Sequence, residues 1–144
     1  SSDARQAALA SALERINLAL AAAPNRHFSW TLRAEILRLS QRPVIEIAAS
    51  LRMSALLGPR EASSMLLRVE IIFDLWERLP PDFHQMARQD IQGIWAMAGR
   101  RLSVAALYMH QPIAARLQIR KMLIHSAQEE RHFNALLREV FRER

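Results

Sequence analysis

No cysteine occurs in the chain, which excludes disulfides, thiolate zinc sites and a cysteine nucleophile. Glycine is scarce: 3 residues, Gly58, Gly93 and Gly99. That is too few for a turn-rich β protein. Nor can so few build a phosphate-cradling loop or the strained Gly-x-Ser-x-Gly elbow of a serine hydrolase. Lysine is represented only by Lys121, so the basic character rests on arginine. Apolar runs such as Leu18 to Ala23 fall far short of the roughly 20 residues needed to span a bilayer. No leader or lipidation motif is legible. The chain starts at Ser1 without a methionine, however, so this says nothing of a longer parent.

What is present is a soluble-type core. Hydrophobic residues make up 51% of 144 positions, enough for one domain and incompatible with disorder. At this length folding buries about 70% of the unfolded surface, so no staple is required. The net charge is +6 and the pI about 11.3. Such a balance fits nucleic acid, anionic lipid or an acidic polymer. The arginines are dispersed rather than clustered, though, which is also the pattern of solvated helix faces. A basic helical nucleic-acid-binding domain is therefore the alternative functional reading.

One stretch recurs. Leu32-Arg33-Ala34-Glu35-Ile36-Leu37 returns as Leu67-Arg68-Val69-Glu70-Ile71-Ile72, and Pro24 and Pro59 each precede it by the same interval. A repeat of this size is produced by stacked helical hairpins. The whole chain reads as about eight helices without strands. The first follows Ser2-Asp3 and ends at Pro24-Asn25. The second covers about 26 to 40. A third begins with Pro43 at its first position and stops at Gly58-Pro59. A fourth, about 61 to 78, is the most apolar and belongs at the centre of the core. Leu79-Pro80-Pro81-Asp82 is the hardest break. A fifth helix covers about 82 to 98, a sixth about 101 to 110, and a seventh starts at Pro112. Ser126 and Glu129 form a capping box for the last, whose Phe133, Leu136, Leu137, Val140 and Phe141 fall on one stripe. Trp30, Trp76 and Trp95 sit on apolar stripes and read as core.

Residues 24 to 59 resemble a tetratricopeptide repeat. Pro24, Trp30 and Ala34 stand where that family places its repeat-ending proline, its tryptophan and its small residue. Pro59, Met65 and Val69 take those places in a second copy. Arg33 and Arg68 occupy a position that is normally leucine. The segment from Leu75 to Asp82, with Asp90-Ile91-Gln92-Gly93-Ile94-Trp95, is similar to helical tails of bacterial repeat proteins of envelope polysaccharide assembly. The resemblance implies an all-α fold of antiparallel hairpins stacked as a short solenoid. Repeats would occupy 1–79, with a helical extension over 80–144, in a single domain. It also implies a non-enzymatic interaction or scaffold role, with another protein or peptide segment in the groove. The groove positions of the family fall on Thr31, Glu35, Arg38, Leu66, Glu70 and Phe73. The setting implied is periplasmic or envelope-associated, with the cytoplasm as alternative.

No cofactor signature and no catalytic set is present. Glu129 and His132 have the Glu-x-x-His spacing of di-iron bundles, but that site needs two such motifs and two further carboxylates. His110, His125 and His132 lie near expected helix ends, where histidines usually serve as dipole or cap partners.

Overall fold

The computed structural model describes residues 1–143. Among them are eight helices and no strand: α1 (Ser2–Ala22), α2 (His27–Leu39), α3 (Val44–Leu57), α4 (Ala62–Asp74), α5 (Pro81–Ala96), α6 (Arg101–Met109), α7 (Ile113–Leu123) and α8 (Ala127–Arg142). The fold is all-α, as the periodicity predicts.

The boundaries have local causes. Ser1 Oγ accepts the Ala4 amide at 3.2 Å and starts α1. At the end of α2, Gln41 takes φ 55°. The Gln41 amide then reaches Arg38 O and the Arg42 amide reaches Leu37 O, both at 3.0 Å. This is a Schellman closure with glutamine where glycine is usual. Pro43 and Pro112 cap α3 and α7 from the residue before the first turn. Ser126 Oγ accepts the Glu129 amide at 3.1 Å, while its hydroxyl meets the Glu129 carboxylate at 3.2 Å.

α4 is shorter than its apolar spacing predicts, ending at Asp74 rather than near Arg78. Residues 75–79 form a turn in which Leu79 N–H bonds Leu75 O at 3.0 Å. Leu75 and Leu79 are still buried. The turn packs inward, so the apolar pattern outlasts the helix.

Consecutive helices from α1 to α7 pack side by side, α2 on α3 and α4 on α5 most extensively. A second set of contacts skips one helix: α2 with α4, α4 with α6, α6 with α8, and α5 with α7. Two apolar clusters fill the interior. One joins Ala34, Leu37, Ile47, Leu51, Ile71, Ile72 and Phe83. The other joins Met65, Val69, Phe73, Ile91, Ile94, Val104, Ile119 and Phe133. α4 feeds both clusters with opposite sides of one helix, which confirms its central place. α5 serves both along one face, with Phe83 and Ala87 of its first half in one cluster and Ile91 and Ile94 of its second half in the other. The Pro80–Pro81 break is thus a turn inside a packed body. Trp76 touches both clusters and stacks between Phe73 and His84, at centroid distances of 5.2 and 3.7 Å. Trp30 is not a core residue. It is half-buried, and its indole N–H closes the Pro24 turn on the Pro24 carbonyl at 2.8 Å.

A buried polar seam runs through the hairpin junction. Arg68 is fully buried and grips Asp90 with two bonds, Nε at 2.8 Å and Nη2 at 2.9 Å. Its Nη1 donates to Ser54 Oγ and to the Gly58 carbonyl. Ser54 Oγ lies 2.6 Å from Thr31 Oγ1, which is 3.0 Å from Ser64 Oγ, which is 2.7 Å from His27 Nδ1. Every member is thereby partnered, the condition for burying polar groups without penalty. Gly58 is required by closeness: a Cβ there would lie 2.5 Å from His27 Cγ.

Candidate functional site

α2, α4 and the end of α6 form one face. On it, Arg38 Nη2 and Nε hold the Glu35 carboxylate at 2.6 and 2.9 Å, and Arg38 Nη1 reaches Asp74 Oδ2 at 3.0 Å. The i, i+3 spacing of Glu35 and Arg38 puts them on one helix edge. Asp74 arrives because α4 lies alongside α2. A cavity of about 380 Å³ opens here, lined by Arg38, Glu70, Phe73, Asp74, His110, Gln111 and Pro112.

Its electrostatics are uneven. In the cavity two carboxylates, Glu70 and Asp74, meet one guanidinium, Arg38, with Glu35 bound to that guanidinium at the rim; the adjoining cleft on the far side of Arg38 and Asp74 carries Arg5, Arg42 and Arg78. Burial raises the Glu70 carboxyl above its ordinary value, and the charge of Glu35 raises it further, while His110 and Arg38 pull it back. Arg38 is held more firmly protonated by its hydrogen bond to Glu35, against the opposing effect of burial. The cavity itself carries an excess of carboxylate, and the cleft beside it an excess of arginine.

Of the six residues expected in a groove, four meet at this place: Glu35, Arg38, Glu70 and Phe73. Leu66 lies two turns away from Asp74 on α4, half-buried against the second apolar cluster. Thr31 is a correction. It is fully buried and spent on Ser54, Ser64 and the His27 carbonyl, so it offers no surface to a partner. Its hydroxyl suits the seam, a role no spacing rule announces. Asp74 and His110 were missed. Asp74 follows Phe73 directly on the same helix end, and His110 is brought in only by the tertiary packing of α6.

Ser64 and His27 make a serine–histidine pair, but Ser64 is fully buried and its hydroxyl is held between His27 and Thr31. Among the described residues no group of three or more His, Asp or Glu is placed to hold a metal ion. The three C-terminal histidines are separated. His110 lines the groove, His125 bonds Met122 O, and His132 packs edge-on against Trp95. A second, larger cleft of about 670 Å³ lies between the end of α3 and α5, with the Arg68–Asp90 pair in its floor and Met65, Met86 and Met97 in its walls. Among the described residues no helix is long and apolar enough to cross a membrane.

Compared with protein-family models, curated proteins and solved structures, the chain matches none of them.

Proposed function

We propose that this chain is a helical-hairpin interaction domain that seats a segment of another protein in the groove of α2, α4 and α6. One observation carries the reading: Glu35, Arg38, Glu70 and Phe73, singled out by the repeat register, gather around one indentation. Its excess of carboxylate favours a segment that presents a basic side chain, with the Phe73 wall taking the apolar stem. The contacts that skip one helix support a solenoid-like course for the hairpins, the arrangement that leaves such a face open. The tail similarity adds an envelope-assembly setting to the same proposal.

The test is capture of partner by the native chain and by a Glu35→Lys/Glu70→Lys variant of unchanged helicity. Loss of the captured partner is expected; undiminished capture removes the groove from the proposal. The nucleic-acid reading draws on the net charge of +6. Against it, Arg33, Arg38, Arg42, Arg52, Arg68, Arg101, Arg116 and Arg120 are engaged with groups of the protein itself. Heparin retention that collapses with salt would revive it.

A further inference from the structure

α8 is strongly two-faced, yet α6 is the helix it packs against most extensively. At about 100° per residue, Phe133, Leu136, Leu137, Val140 and Phe141 occupy one arc. Phe133 alone is fully buried, against Tyr108 at a centroid distance of 5.1 Å. Leu136, Leu137 and Val140 are half-covered, and Phe141 is 67% exposed. Between this arc and the end of α6 is a recess of about 340 Å³ lined by Met109, Leu137, Phe141, Arg138 and Arg142. Leu137 and Phe141 are one turn apart, and Arg138 and Arg142 repeat that spacing beside them. An apolar row and a cationic row therefore run in parallel along the last two turns. Arg131 falls on the same cationic edge, and none of the three makes an ion pair among the described residues.

We infer that this recess docks an amphipathic helix of a partner protein whose apolar row is flanked by carboxylates. The occupant follows from charge complementarity. The Leu137–Phe141 row takes apolar knobs between α6 and α8, as in helix-in-groove recognition, and Arg138 and Arg142 offer fork-shaped donors that match carboxylates. An anionic bilayer fits less well, because the exposed Glu130, two turns before Leu137 on the same line of α8, would face its headgroups. A second copy in antiparallel register would set the arginine edge against itself. The recess shares no lining residue with the α2–α4–α6 groove, although both border the end of α6, at Met109 and His110, and the inference does not rest on that groove.

The experiment uses the full chain. The probe is a fluorescent, amphipathic helical peptide of about 15 residues with a leucine row flanked by glutamates, and a matched peptide carries lysines instead. Anisotropy should show saturable binding of the glutamate peptide, weakening as salt rises, with the lysine peptide at least about tenfold weaker. Phe141→Asp and Arg138→Glu/Arg142→Glu, both at exposed positions that leave the fold intact, should each weaken binding by about tenfold or more, whereas Glu70→Lys should not. Equal binding of both peptides, no binding of either, insensitivity to the α8 variants, stronger retention on phosphatidylglycerol vesicles, or self-association abolished by Phe141→Asp would each overturn the inference.

Discussion

Arg33 and Arg68 hold the same place in the two recurring stretches, and the structure treats them differently. Arg33 is half-buried on α2 and ties it to its two neighbours through neutral groups, Asn17 of α1 at 2.8 Å and Ser50 of α3 at 2.6 Å. Arg68 ties α4 to α3 and α5 in the same manner, but from complete burial and against a carboxylate. The topological task is shared: an arginine on one helix bridges the helix before and the helix after. The energetic consequence is not shared. At the surface the guanidinium can return to water. In the interior it is bound to Asp90, and each charge depends on the other.

Removing one partner of the buried pair should therefore do the most damage. Arg68→Leu leaves Asp90 uncompensated, and a loss of about 3–5 kcal/mol is expected in urea unfolding. Adding Asp90→Leu should restore most of it, because replacing both charges by apolar groups is often neutral. If the double variant is no better than the single one, the seam does more than neutralise a charge. Arg33→Leu, which installs the residue usual in the resembled family, should cost only about 1 kcal/mol, a lost hydrogen bond offset by new apolar contact. A loss equal to that of Arg68→Leu would erase the distinction between the two sites.

Smaller effects sharpen the comparison at the ends of the same hairpins. Gln41 takes φ 55° at the close of α2, so Gln41→Gly should stabilise by up to about 1 kcal/mol, seen as a raised urea midpoint. Glu70 offers a pH signature. Its folded carboxyl titrates above the ordinary 4.5. The folded form then binds its proton more readily than the unfolded one, so the stabilisation is complete below the ordinary value and is lost as pH rises through the folded one. Glu70→Gln should flatten that part of the melting-temperature profile; a slope that survives unchanged would assign it to another group.

Much of the fold was legible because helices announce themselves twice, by period and by punctuation. Pro24, Gly58-Pro59, Pro80-Pro81 and Pro112 mark real ends. The errors share a cause. The α4 boundary slipped because Leu75, Trp76 and Leu79 pack without being helical. Trp30 lies on an apolar stripe yet outside the core, because a stripe gives direction and not depth. Thr31 was placed in the groove by register, while its true surroundings are hydroxyls contributed by α3 and α4. One sign of the seam was visible, an arginine at 68 where the resembled family has leucine; a buried arginine needs an acid, whereas Arg33 at the matching place stays half-buried and needs none. Which acid Arg68 finds depends on how α5 lies, and no local pattern carries that.

The placement of α4 has a consequence for how the molecule opens. Val69, Ile71 and Ile72 sit on one helix but belong to different clusters. Neither half can loosen its packing without stripping one side of that helix. Amide protons of α4 should accordingly exchange with solvent only when the entire chain unfolds, long after those in the first turns of α1. A cut at the Pro80–Pro81 turn should yield two fragments, neither of which protects its amides alone.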